Sequence, residues 1–288
     1  MTNVFNNRLR VGLRLQQPTG LWTNAFGYDA AKRLTSVTSP AGAFSYTLGA
    51  TAPGSAQIKK LLLPNTSYIT NTYDGNARLL STTLKNSSHT TLNAHEYGYN
   101  AGNQRTQQVF SVGSTYNYTY DAIGQLKVAD SATASEDRGY LYDAAWNLNR
   151  RTNNAYVEQF DVDSKNQLDF PGYYTYDGNG NLTWFDVFEY TYDDENRLIK
   201  AASPGGDWWT DYVYDGLGRL RQRVVWTYEY VDDDFYWVPV ETRYVYDGFR
   251  VIQDRNAQGN PTISYTRGTD LSGSLEPVLN FCRTERQA

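Results

Sequence analysis

Polar and apolar residues alternate along the chain in short runs, and one arrangement of them recurs. An aromatic residue, a variable one, a second aromatic and an Asp are followed, five positions after the Asp, by an aliphatic residue. Residues 174–182, YTYDGNGNL, are a well-kept copy. FGYDAAKRL ends at Leu34, NTYDGNARL at Leu79, YTYDAIGQL at Leu126, YLYDAAWNL at Leu148, YTYDDENRL at Leu198 and YVYDGLGRL at Leu220. FDVDSKNQL, ending at Leu168, and YVYDGFRVI, ending at Ile252, are degenerate copies, and YGYNAGNQR places Asn100 in the aspartate slot. With Asn100 counted, successive copies lie 14 to 45 residues apart, and the longest gap, from Asp29 to Asp74, holds an eroded copy, FSYTLGA, at residues 44–50.

This spacing has a mechanical meaning. Aromatics three and one residues before the Asp share one face of a strand, whose side chains alternate with period 2. The aspartates (Asp29, Asp74, Asp121, Asp143, Asp163, Asp177, Asp193, Asp215 and Asp247) then open a turn in which the carboxylate accepts backbone N–H groups. Three residues on, Gly124, Gly180, Gly218 or Asn196 suits the positive φ of a type I turn closed by a left-handed residue. Lys32, Ala77 and Trp146 fill the same slot, where a strained or differently shaped turn is expected. The aliphatic residue begins the return strand and packs on the aromatic face. Each copy is therefore a hairpin that cannot bury its apolar face alone, and side-by-side stacking supplies the missing neighbour. The fold class expected is all-β, a curved or spiralling antiparallel ribbon. One continuous array over residues 1–275 and a disordered non-repeat tail at 276–288 complete the reading.

Composition fits. Of 288 residues, 15% are aromatic, with 25 tyrosines, and 20% are charged. The net charge of −5 argues against a general nucleic-acid binder, and Arg219, Arg221 and Arg223 read as a solvated strand face. No apolar run approaches the ~20 residues of a membrane span. A single cysteine, Cys282, leaves no internal disulfide or Cys-based metal site.

The pattern Tyr-x-Tyr-Asp-x-x-Gly-x-Leu resembles the YD repeat of the bacterial Rhs family, related to the BC components of ABC toxin complexes and to teneurins. The resemblance runs from about residue 28 to about residue 274, and RYVYDGFRVIQDRNAQGNPTISYTRGTDLSGSL is similar to the segment leading into the Rhs core. It implies a β-ribbon shell around a C-terminal effector, closed by a core that cleaves itself at Asp-Pro motifs, and a secreted or cell-surface setting. This chain has no Asp-Pro dipeptide. The reading is thus a non-catalytic shell fragment whose partners are the rest of a larger Rhs protein, core and effector cargo, or further copies joined through open strand edges.

Other chemistry is weakly signalled. His89 and His95 lie six apart, which is not a usual zinc spacing. Asp177, Asn179 and Asn181 begin like an EF-hand, but Leu182 and Phe188 stand where Gly and Glu are required. No catalytic set, metal or cofactor is expected. Asp232, Asp233 and Asp234 read as a solvated hairpin tip. The adjacent Trp208 and Trp209 offer a sugar-stacking platform, so a carbohydrate-binding or adhesive module is the alternative. A carboxylate hydrolase or autoprotease is a weaker one.

Overall fold

The computed structural model describes residues 1–49, 56–170, 172–231, 234–268 and 282–284. The all-β expectation holds. Strands follow one another in chain order, each paired antiparallel with its sequence neighbours. The first sheet has 15 strands, from Thr2–Asn6 to Tyr156–Gln159, and the second has 10, from Tyr174–Tyr176 to Cys282–Thr284. Neither sheet closes on itself among the described residues. A single 3₁₀ turn, Ala134–Glu136, is the only helical element among them.

The chain forms two compact units, one holding Met1–Arg14 and Thr23–Phe160, the other Leu15–Trp22 and Asp161–Arg267. The break falls at the degenerate copy around Asp163. There Val162 replaces the second aromatic and only an isolated Val162↔Leu168 bridge forms. With 14 residues from Asp163 to Asp177, too little chain remains for a full strand pair. In the expected tail, residues Cys282–Thr284 pair with Ser264, Tyr265 and Thr266; the remainder lies outside the described residues.

Register is the same from copy to copy. The tyrosine just before the Asp faces the aliphatic residue five after it: Tyr28↔Leu34, Tyr73↔Leu79, Tyr120↔Leu126, Tyr142↔Leu148, Tyr176↔Leu182, Tyr192↔Leu198 and Tyr214↔Leu220. A β-bulge follows at once, the next rung skipping one residue, for example Thr72↔Ser81 after Tyr73↔Leu79. A bulge sharpens the local right-handed twist, so each hairpin carries its own increment of twist. The eroded copy keeps this register, with Leu48↔Ile58 in the Tyr–Leu position. Around it lies the best-buried core: Val37, Phe44, Tyr46, Ile58 and Leu61, flanked by Phe26, Leu34, Leu48 and Ile69. Each side chain of this size buried there contributes about 1.5–3 kcal/mol.

Candidate functional site

The repeated Asp turns share one geometry. The Asp N–H donates to the carbonyl four residues on, and the N–H three residues on donates back to the Asp carbonyl, as in Asp177 to Asn181 (2.9 Å) and Gly180 to Asp177 (3.1 Å). Asp Oδ1 accepts the N–H groups two and four residues later: 2.9 and 2.9 Å at Asp74, 3.0 and 2.9 Å at Asp121, 2.8 and 2.9 Å at Asp143. Asp163, Asp177, Asp193 and Asp215 repeat both bonds, and Asp29 accepts the second from Arg33. The third position is left-handed throughout, whether Gly124 (φ 93), Gly180 (87) and Gly218 (73) or Lys32 (62), Ala77 (66), Trp146 (71) and Asn196 (60). The latter turns are strained but not differently shaped, because the two carboxylate bonds and the strand pairs dictate the conformation. Asp247 is placed otherwise: it pairs with Arg250 across a two-residue turn with Gly248 at φ 62. The chain there is one residue too short for the carboxylate-capped loop.

The second carboxylate oxygen meets the side chain four residues on. Nε of Arg33, Arg78, Arg197 and Arg219 donates to Oδ2 of Asp29, Asp74, Asp193 and Asp215 at 2.7, 2.6, 2.7 and 2.8 Å. Asn147 and Asn181 do the same for Asp143 and Asp177. These donors hold the carboxyls below their ordinary range. For Asp143, Asp177, Asp193 and Asp215 the side-chain donor is the main cause; for Asp29 and Asp74 it is the backbone N–H of Arg33 and Arg78. Asp215 falls to about 2.

The same arginines reach the next hairpin. Arg78 lies over the ring of Tyr99 at 4.9 Å and donates through Nη1 to the carbonyl of Asn100. Arg197 lies over Tyr214, and Arg219 over Tyr246 while donating to the Gly248 carbonyl. In return, the tyrosine hydroxyl donates to the first carbonyl of the preceding return strand. The pairs are Tyr99 to Leu79 (2.8 Å), Tyr120 to Arg105 (2.6 Å), Tyr176 to Leu168 (3.2 Å), Tyr214 to Leu198 (2.9 Å) and Tyr246 to Leu220 (2.7 Å). Backbone pairing between consecutive hairpins has already stopped there: Ser81↔Glu96 is the last rung before Leu79, and Lys200↔Asp211 the last before Leu198. The hydroxyl thus satisfies a carbonyl that the splayed ladder leaves open.

The other sequence candidates fall elsewhere. Trp208 and Trp209 do not form one platform, because adjacent strand residues face opposite sides. Trp208 meets Phe188 at 5.8 Å, whereas Trp209 stacks on Trp226 at 5.3 Å and packs on Trp237 at 4.3 Å. The Tyr68 hydroxyl lies 2.7 Å from Nδ1 of His89, and Nε2 of Gln108 lies 3.3 Å from Nδ1 of His95. Among the described residues no three His, Cys, Asp or Glu side chains group to hold a metal, and no helix is long and apolar enough to cross a membrane. Arg219 is no solvated strand residue but part of the joint. Asp232 and Asp233 lie outside the described residues. Sequence reading missed the arginine slot, the tyrosine hydroxyl and the extra capped turn at Asn256, whose Oδ1 accepts from Gln258 and Asn260. The first was visible as the Arg, Asn or Gln that precedes each repeat leucine, from Leu34 to Leu220.

The model of one family, the Teneurin YD-shell, matches residues 99–243, half of the chain. The chain belongs to that family. Among curated proteins it is 27% identical over 173 residues to the tRNA nuclease WapA of Bacillus subtilis, and 26% identical over 152 residues to human Teneurin-4. The matches cover 59% and 53% of this chain but only 6% and 5% of those proteins. Among solved structures, the Photorhabdus luminescens Tc holotoxin pore and TcdB2-TccC3 share the fold, each with a TM-score of 0.55. Identities are 13% and 15%, with 86% and 85% of this chain and 18% and 16% of those chains covered. The YD-shell chain is a structural shell scaffold.

Proposed function

We propose that this chain is a non-catalytic wall segment of a larger shell protein, the part that encloses an effector rather than acting as one. The carrying observation is the joint itself. Tyrosine hydroxyl, arginine and aspartate link consecutive hairpins by the same bonds at Asp74–Arg78–Tyr99, Asp193–Arg197–Tyr214 and Asp215–Arg219–Tyr246, so the ribbon extends by a recurring joint. Asp29, Asp74, Asp143, Asp177, Asp193 and Asp215 are occupied by turn N–H groups and by arginine or asparagine donors, and their lowered pKa values oppose a role as general acids. Enclosure of an effector is what the resemblance to the Rhs family implies for a ribbon of this kind.

The decisive assay follows from the nuclease relatives. Purified chain incubated with tRNA is expected to leave it intact, and cleavage dependent on the chain would overturn the non-catalytic reading. The shell reading has its own test. The strand Thr2–Asn6 pairs on one side only among the described residues, and such an edge invites further strands. Light-scattering chromatography at micromolar concentration should show species larger than a monomer; a sharp monomer peak would count against wall assembly.

A further inference from the structure

The step from Asp215 to Asp247 is 32 residues, and its additional length goes into one hairpin. Its strands, Leu220–Val231 and Asp234–Asp247, are 12 and 14 residues long, against 7 and 6 for the flanking Trp208–Tyr214 and Arg250–Arg255. Pairing with the first flank ends at Trp208↔Thr227, and with the second at Arg243↔Arg255. Beyond those rungs, among the described residues, the hairpin continues as a two-stranded ribbon.

That ribbon is aromatic. Tyr228 opposes Trp237 and Tyr230 opposes Phe235 on one face. Tyr228 stacks on Phe235 at 5.0 Å and meets Trp237 at 4.9 Å. The face is fixed at its base, where Oδ2 of Asp211 accepts the indole N–H groups of Trp209 (3.1 Å) and Trp226 (3.0 Å). Yet Tyr228, Phe235 and Trp237 stay 48%, 51% and 39% exposed. A two-stranded ribbon has no core to justify such a surface.

The charge says what fits it. Residues 224–242 hold Glu229, Asp232, Asp233, Asp234 and Glu241 and no Lys, Arg or His. Those five acids equal the net charge of the whole chain, −5, so the rest of the molecule is balanced. Elsewhere the protein covers its own rings with cations, Arg105 over Tyr97 at 4.0 Å and Arg78 over Tyr99 at 4.9 Å. We infer that the aromatic face of Tyr228, Phe235 and Trp237 is a docking surface for an arginine-rich segment of a partner polypeptide. The guanidinium planes stack on these three rings as the chain's own arginines do on its repeat tyrosines, while the exposed Glu229 and Asp234 raise the local cation concentration. Strand addition along the outer edge is interrupted by Pro239, which has no N–H to offer. Recognition therefore rests on the rings.

The test is fluorescence anisotropy of a labelled peptide of alternating Arg and Gly against the full chain at physiological salt. Trp237→Ala and Tyr228→Ala should each weaken binding about three- to tenfold. The double variant Glu229→Gln with Asp234→Asn, on exposed positions that leave the rings in place, should weaken it and flatten its salt dependence. A Lys-Gly peptide of equal charge should bind less tightly. Equal binding of the Arg and Lys peptides, unaffected by the ring variants, would reduce the surface to simple counter-charge and overturn the inference. Engagement of a neutral glycan, a phosphocholine vesicle or a second copy of the chain, with no affinity for the Arg peptide, would overturn it as well. Circular dichroism melts check folding; should the ring variants fail to fold, unchanged affinity in the charge variant is decisive against it.

Discussion

Tyr99 donates its hydroxyl proton to the backbone carbonyl of Leu79, 2.8 Å away and twenty residues earlier in the chain. Arg78, beside that leucine, lies over the Tyr99 ring and is itself held by Asp74. Four residues from two hairpins thus share one joint. The tyrosine that contributes to the packed face also completes the hydrogen bonding of its neighbour's strand.

Tyr99→Phe should therefore cost about 0.5–1.5 kcal/mol, the usual net value of one hydrogen bond, although the ring and its packing remain. Urea denaturation followed by circular dichroism measures it. The slot two residues earlier in each copy is the internal contrast: it already accepts Phe26, Asn71 and Phe160. A loss-free Tyr99→Phe would show that water serves the Leu79 carbonyl equally well.

Left-handed backbone sets the second expectation. Trp146 sits at φ 71 with 72% of its surface exposed, so its side chain contributes little packing to offset the strain. Trp146→Gly should stabilise the protein by about 0.5–1 kcal/mol, and Gly180→Ala, at φ 87, should destabilise it by about 1 kcal/mol. Thermal melts of the two variants against the parent would expose the error if both moved the same way.

These two cases also show what the sequence discloses. Hairpins, turn aspartates and the aromatic face were legible because each follows from period 2 and from turn chemistry within nine residues. The hydroxyl of Tyr99 was not, since its acceptor is a backbone atom of another copy and has no letter of its own. The bulge after Leu79 was hidden for a similar reason: it is a property of register between strands. Trp208 and Trp209 have separate partners because adjacency in sequence is opposition on a strand. The break near Asp163 was visible as a short step and a missing tyrosine, but whether pairing survives such a lapse is decided by neighbours.

Acid should loosen the joints. The Asp215 carboxyl, held at about 2 chiefly by Arg219, lies below the ordinary 3.8. A depressed folded value contributes stability that is present above the unfolded pKa and is lost as pH falls through the folded one. Stability should therefore decline between about pH 4 and pH 2, with Asp29, Asp74, Asp143, Asp177 and Asp193 acting in the same direction. Asp215→Asn keeps an oxygen for the turn, as Asn100 does for Gln104, and should lower stability at pH 7 while flattening the acid slope. Melting temperatures at pH 7, 4 and 2.5 decide this, and an unchanged slope would exclude the Asp215–Arg219 pair as a contributor.

Asp254 should behave in the opposite sense. Its side chain lies on the tyrosine face, 9% exposed, where Oδ2 accepts the Tyr265 hydroxyl at 2.8 Å and Oδ1 is buried without a hydrogen-bond partner. Burial raises its pKa, only partly countered by Tyr265, Arg223 and Arg267. For a raised carboxyl the favourable contribution is complete below the unfolded pKa and disappears as pH climbs, so charged Asp254 penalises the fold at neutrality. Asp254→Asn, which retains an acceptor for Tyr265, should make the protein more resistant to urea at pH 7, with the advantage vanishing near pH 4. Tyr265 extends the argument to base, since burial and the carboxylate push its hydroxyl up to about 12. Its contribution holds below pH 10 and should be lost towards pH 12, a decline that Tyr265→Phe removes. If Asp254→Asn proved less stable than the parent at pH 7, Arg223 and Arg267 would have to outweigh the burial of the charge.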